Sequence, residues 1–167
     1  PPPPPARAPR PDGDDAPPLD ALARQVAVAW QVGEVRTVEQ DAAFGLRQLV
    51  DIALKALSPG INDTTTAVHC VDYLGALLVR LADRRIESPV RTSGGAVRVL
   101  ARGPTFEGLL RLAVDEIRQH ARGNVSVLHR LLGMLGQVAA HTPDPTRRAL
   151  VGDQLAQLDE AADRTVE

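Results

Sequence analysis

The stretch Phe44–Thr66, FGLRQLVDIALKALSPGINDTTT, decides how this 167-residue chain folds. Leu46, Leu49, Val50, Ala53 and Leu57 recur at the three- and four-residue spacing that gathers side chains on one helix face. Phe44 and Ile52 widen that apolar arc, so this helix is expected at the centre of the fold. Arg47, Asp51 and Lys55 stand four apart on the other side, where such pairs contribute only about 0.2–0.5 kcal/mol each. Ser58-Pro59-Gly60-Ile61 then stops the helix. A proline disfavours helical backbone at the preceding residue, and Pro-Gly suits the two middle positions of a type II turn. Asp63 follows as the expected N-cap of a second helix, accepting from the amide of Thr65 or Thr66.

Outward from this joint the helical period continues. The second helix is expected to turn Ala67, Val71, Leu74, Leu78 and Leu81 inward and His69, Asp72, Arg80 and Asp83 outward. Between Arg85 and Arg102 the period changes. Gly94-Gly95 is a two-residue hairpin signal between Pro89-Val90-Arg91 and Val97-Arg98-Val99-Leu100, with Pro89 on an edge strand. Thr105 should cap a helix burying Phe106, Leu109, Leu110, Ala113 and Ile117. After the Gly123-Asn124 break, a helix over Val125–Ala140 should bury Leu128, Leu131, Leu132, Leu135 and Val138. Its Gly133, Gly136 and Ala140 would let another backbone come close. Asp144 and Pro145 supply the cap and first residue of a last helix with Val151, Leu155, Leu158 and Ala162 inside.

On the N-terminal side, Thr37 and Gln40 have capping-box spacing for the Phe44 helix. Before them, Leu19, Leu22, Ala23, Val26 and Trp30 line one face of a helix that Gly33 ends. Residues 1–18, PPPPPARAPRPDGDDAPP, hold too few large apolar side chains to offset the entropy of ordering, so a disordered proline-rich tail is expected. The domain proper then runs over 19–167, with its hairpin near 85–102. The expected fold is mainly α: an antiparallel bundle of about six helices, joined by short connections, with one short β-hairpin.

Composition narrows the function. Hydrophobic residues make up 44% and aromatic residues only 2%, which fits Leu/Val/Ala helix packing rather than a β-sandwich. A net charge of −2, with both signs interspersed, provides no field to draw in nucleic acid. Cys70 is the sole cysteine, which rules out an intrachain disulfide and reads as a buried small hydrophobe. No apolar run approaches the ~18–20 residues of a membrane span, and no signal peptide is present, so the chain as given is expected to be soluble. It lacks an initiating methionine and reads as a fragment.

Among candidate sites, the Ser58–Thr66 loop offers a helix start ringed by hydroxyls, a place where anions bind. Asp63 opposes that use, because its carboxylate competes for the free amides, and no P-loop pattern is present. A structural joint, with Pro59, Gly60 and Thr66 as its motif, is the preferred reading. Glu116 and His120 stand i, i+4, with His129 and His141 beyond, yet no HExxH or zinc spacing occurs. Ser58, Ser88, Ser93 and Ser126 lie in no nucleophile elbow, and His69 beside Cys70 points elsewhere on its helix. Arg47, Gln48 and Asp51 need polar partners if their helix is buried. The preferred reading is an internal network that holds helix register. The alternative is a small-ligand, anion-binding or enzymatic site built from Arg47, Gln48, Asp51, Ser58, Asn62 and Asp63. No catalytic residue, metal or cofactor is assigned.

The motifs Arg36-Thr37, Gln40-Asp41, Phe44-Gly45-Leu46, Gln48 to Ala53, Ala56 to Asp63 and Thr66-Ala67, with Pro104-Thr105-Phe106 behind them, form a specific set. On these the chain resembles a family of bacterial integral membrane proteins known as domain of unknown function twenty-two fifty-four. One departure is Thr64, where the family usually has proline. The resemblance implies a longer parent protein in the cell membrane, with membrane spans and a small β-rich segment preceding this region and the present domain on the cytoplasmic side. The family itself has no assigned reaction; taken with the lack of a catalytic constellation, the match leads to the expectation of an assembly or regulatory module without catalysis. The expected partners are the parent's membrane region and, as an option, further copies of the chain, but no nucleic acid.

Overall fold

The computed structural model describes residues 18–29, 35, 37–39, 41–86, 89–101 and 103–166. All of the expected 1–18 tail except Pro18 lies outside them, as do Trp30, Gly33, Arg36, Gln40, Ser88 and Arg102. Among the described residues the chain is mainly α, with six helices and one antiparallel hairpin. The helices are α1 (Leu19–Ala29), α2 (Ala42–Ala56), α3 (Thr64–Ala82), α4 (Phe106–His120), α5 (Val125–Ala140) and α6 (Pro145–Val166); the strands are β1 (Val90–Ser93) and β2 (Ala96–Leu100). The described residues group as two compact units. One draws on Pro1–Arg36 and Ser88–Gly103, the other on Thr37–Glu87 and Pro104–Glu167.

The larger unit is the body of five helices, α2 to α6. α3 packs on α2, α5 and α4, and α4 packs on α2, α6, α3 and α5. Among the described residues α2 packs chiefly on α3 and α4, whereas α3, α4 and α5 each pack on three or more helices, so the expectation that α2 is the central helix is corrected. The cause lies on α2's surface, where Leu46, Val50, Ala53 and Ala56 form the buried stripe while Ile52 is 49% exposed. On α3 the buried set is Ala67, Cys70, Val71, Leu74, Gly75, Leu78 and Ala82, with His69, Arg80 and Asp83 exposed as expected. Phe106, Leu109, Leu110, Ala113 and Ile117 are buried on α4, joined by Val114.

Two faces differ from their expected positions. On α5 the buried residues are Val127, Leu128, Leu131, Met134, Leu135 and Val138, while Leu132 is 47% exposed. Gly133, Gly136 and Ala140 lie on the exposed side, so the close approach expected there does not occur at those positions. It occurs at Gly75 of α3, where an added Cβ would stand 2.5 Å from Met134 Cγ. On α6 the seam runs through Val151, Gln154, Leu158 and Ala161, with Leu155 and Ala162 only half-buried. A polar residue, Gln154, thus holds a place that an apolar count passes over.

Each helix start has a local cause. Asp41 caps α2 by accepting from Ala43 N (2.9 Å) and Phe44 N (3.3 Å), which corrects the Thr37-based start. A capping carboxylate one residue before the helix satisfies amides that Thr37 stands too far upstream to reach. Thr105, Asn124 and Asp144 cap α4, α5 and α6 through Gly108 N (3.0 Å), Val127 N (3.3 Å) and Thr146 N (2.7 Å).

In the other unit, β1 and β2 pair antiparallel around Gly94 (φ 59°) and Gly95 (φ 76°). Positive φ at both turn residues is the geometry that joins strands of right-handed twist in two residues, and it selects glycine. Helix α1 forms as expected, but its apolar stripe is open: Leu19 is 84% exposed, and Leu22 and Val26 are exposed with it.

Candidate functional site

Arg47 projects from the middle of α2 and is held by two carboxylates. Its Nε donates to Asp51 Oδ1 at 2.7 Å, one helical turn on, and its Nη2 donates to Glu116 Oε2 of α4 at 3.1 Å. Nη1 donates to Glu116 Oε1 as well, so the Glu116 contact is bidentate. Bidentate arginine–carboxylate pairing combines two charge-assisted bonds with a fixed geometry. Glu116 first and Asp51 second raise the basicity of Arg47, and the Arg47 bond holds the Glu116 carboxyl below its ordinary range. A guanidinium occupied on two sides has little left to offer an anion. A carboxylate kept ionised by it is a poor proton donor. What the trio does is tie α2 to α4. Gln48, one residue along, is exposed.

The elbow residues are used locally. Ser58 Oγ donates to Lys55 O (2.7 Å), Ile61 N to Ser58 O (3.0 Å) and Asp63 N to Ala56 O (2.8 Å), so carbonyls at the end of α2 find donors. Gly60 does not adopt positive φ; Asn62 does, at 48°. This corrects the type II turn, which requires a left-handed residue directly after the proline. Asparagine tolerates that region because its short amide makes local bonds. The Asp63 carboxylate accepts from Thr66 N (3.0 Å) and Thr66 Oγ1 (2.5 Å), which holds its carboxyl below the usual range, the hydroxyl contributing most. Pro59 and Gly60 are exposed. The six residues singled out in the sequence therefore separate into the Arg47–Asp51 pair on the α2–α4 seam, the Ser58, Asn62 and Asp63 elbow, and Gln48 on an open face. Among the described residues no hydrogen bond or ion pair joins the two clusters.

Three further polar constellations lie outside the residues that the sequence singles out. Asn124 Nδ2 donates to Thr64 Oγ1 at 2.8 Å while its carbonyl caps α5, which locks the starts of α3 and α5 together. Around them lies an open concavity of about 530 Å³ lined by Asn62, Thr64, His120, Arg122, Asn124 and Ser126, among others. Between α4 and α6, Arg118 donates to Asp115 Oδ1 (3.3 Å) and Gln157 Oε1 (2.8 Å), and Gln154 Nε2 donates to Asp115 Oδ1 (3.1 Å). Arg147 Nη1 donates to the carbonyls of Ala82 (3.0 Å) and Arg84 (2.8 Å) at the end of α3, and its guanidinium stands 5.2 Å from the centre of the Phe106 ring. The cap pattern Asn124-x-x-Val127 and the Asp115–Arg118 pair, three residues apart, had a local signal. The remaining bonds join residues 39 to 65 positions apart. Cys70 is buried, which pushes its thiol pKa up, and His69 beside it is exposed. His120 and His141 each place Nδ1 beside a carbonyl of their own helix, Glu116 O and Gln137 O. Among the described residues no three metal-ligating side chains converge, and no helix is long and apolar enough to cross a membrane.

Residues 9–137 match the model of a family described as predicted membrane protein, DUF2254. Uncharacterized proteins of Mycobacterium bovis and of two strains of Mycobacterium tuberculosis are each 40% identical to the chain over 134 residues. That alignment covers 80% of this chain and 26% of each relative, so the chain spans about a quarter of their length. No solved structure matches.

Proposed function

The chain belongs to the DUF2254 family of predicted membrane proteins, and from that premise we propose that it is the cytoplasm-facing helical module of a longer membrane protein, serving assembly or regulation without catalysis. The observation that carries this reading is how the arginines are used. Arg47, Arg118, Arg130 and Arg147 each reach from one helix to a carboxylate, amide or helix end on another. Charges consumed in this way hold five helices in register instead of facing a substrate. A body braced across its seams suits a part that transmits position to a neighbour, which here is the parent's membrane region or a second copy.

The test is to compare the longer protein with and without this region, and to measure the mass of the isolated chain in solution. The expected outcome is self-association of the chain, or its capture by the membrane region, with altered assembly on deletion. A strictly monomeric chain whose removal leaves the parent's assembly unchanged overturns the proposal.

The second reading, a small-anion site, draws on the concavity where the α3 and α5 starts meet Arg122 and His120. Helix N-termini favour negative charge, although the Asp63 carboxylate already takes part of that field. Titration with inorganic phosphate, observed by amide shifts at Thr64, Val125 and Ser126, decides it. Saturable shifts lost in Arg122→Gln support the site, and their absence removes it.

A further inference from the structure

We propose that the trough between α2 and α3 binds a single-chain anionic amphiphile, an alkyl phosphate or carboxylate. Its headgroup would meet Arg80 and Arg84, and its chain would lie on the aliphatic floor.

Among the described residues of the helical body, only Arg80, Arg84 and Arg122 have a guanidinium without a hydrogen bond or ion pair. Arg122 borders the concavity at the α3 and α5 starts, whereas Arg80 and Arg84 line one trough of about 570 Å³. The end of α3 explains why both are free. Basic residues in a last helical turn ordinarily serve the open carbonyls there. Here Arg147 of α6 takes that place, donating to Leu81 O (3.3 Å), Ala82 O (3.0 Å) and Arg84 O (2.8 Å). Arg80, in the last turn, and Arg84, just past the Asp83 C-cap, keep their charge uncommitted. Asp83 stands between them in sequence, yet among the described residues it pairs with neither and does not line the trough.

The rest of the described lining is Val38, Ala42, Gly45, Leu46, Leu77 and Leu81, without a carboxylate or any further polar side chain. Val38 and Leu77 are 51% and 39% exposed, so part of this floor faces water. Gly45 lets Val38 settle against α2, where an added Cβ would stand 3.0 Å from Val38 Cγ1. A surface of this make-up recognises two things, a hydrocarbon and an anion. A ligand with further polar groups would leave them against aliphatic walls without partners. The trough also has the size of a small-molecule pocket, roughly 300–1,000 Å³. Arg80 borders a second concavity between α3 and α5, but Asp72 lines that one and takes up Arg130 there. A second copy seated face to face is a poorer occupant, since it would set Arg80 and Arg84 against their own counterparts. The inference rests neither on the assembly reading nor on the concavity beside Arg122, so each can fail alone.

Calorimetric titration of the full 167-residue chain with decyl phosphate and with decanoate, each below its micelle concentration, tests it. The two arms tell phosphate from carboxylate sources, and saturable binding of either one, falling as salt rises, supports the site. Decyltrimethylammonium has the same chain with the opposite charge, and inorganic phosphate has the head without the chain. Each should bind at least about tenfold more weakly. Arg80→Gln with Arg84→Gln should weaken amphiphile binding on the order of tenfold, since exposed charges are partly screened. Val38→Ser with Leu77→Ser should weaken it by a similar factor while leaving its salt dependence in place. All four side chains are exposed, and circular dichroism checks that each variant folds. No saturable binding, equal binding of the cationic amphiphile, or binding indifferent to both double variants overturns the proposal. Loss in Arg122→Gln in place of the Arg80 and Arg84 variant does so too, because the ligand would then sit in the other concavity. So does amphiphile-free dimerisation that the same substitutions abolish, or displacement of decyl phosphate by a lower concentration of a Leu/Glu helical peptide. The trough would then be a protein interface.

Discussion

The five-helix body and the unit containing α1 and the hairpin use the same apolar residues to opposite ends. In the body, Leu74, Leu131 and Leu135 are wholly buried. In the other unit, Leu19, Leu22, Val97 and Leu100 are exposed. Residue type alone does not separate the two sets; the number of neighbouring elements does. α3 and α4 each find three or more helices to pack on, whereas the two strands have only each other in their sheet. Burial per residue rises with the number of layers, and a two-stranded ribbon has one. The difference teaches that burial follows the number of packed neighbours and not the residue type. The body gathers its apolar side chains into one core, and among the described residues the small unit leaves several of its own exposed.

Substitutions sharpen that contrast in descending order of effect. Leu74→Ala or Leu131→Ala should cost about 2–5 kcal/mol in chemical denaturation, since neither site can collapse around the void without moving two helices. A cost below about 1 kcal/mol would break the picture of a rigid body. Gly75→Leu should cost roughly 1–3 kcal/mol, because its side chain enters the space of Met134. The parallel change at exposed Gly133 should leave the melting midpoint unchanged or raised, because leucine is the better helix former and nothing lies near that position.

Next, Asn124→Ala should cost about 1 kcal/mol, removing the α5 cap together with the bond to Thr64. The Glu116 linkage should be smaller and dependent on pH. Its folded pKa is depressed, so the stability it contributes is present above the unfolded carboxylate pKa and is lost as pH falls through the folded value. Acid titration of Glu116→Gln against the parent chain should show a shallower loss in the variant; equal slopes would show the Arg47 clasp to be idle. Smallest of all, Val97→Ser and Leu100→Ser should change global stability by no more than about 0.5 kcal/mol, although the same changes in the body would be severe.

Much of this was legible in the residues. Periodicity located α3 to α6 and the buried face of α4, and Gly94-Gly95 located the hairpin, because each signal is local. The misplacements share a cause. Ile52 and Leu132 extend apolar arcs in sequence, yet the neighbouring helix covers only part of each arc, so both stay exposed. Gln154 is 4% exposed because Asp115 on α4 accepts its amide, a partner 39 residues away. The candidate site fared in the same way. In sequence Arg47 and Asp51 form a pair four residues apart, whereas Glu116, which turns that pair into an inter-helix clasp, stands 69 positions away on α4.

By itself the sequence determined the starts of α3 to α6, the hairpin turn and the family, since caps, glycine pairs and motifs act over a few residues, whereas the start of α2 and the form of the elbow differed from it. Tertiary structure alone decided which helices are central, which glycine is closely approached, and which arginines are occupied. Those outcomes depend on which faces meet, and a face acquires a partner only when elements distant in the chain pack together.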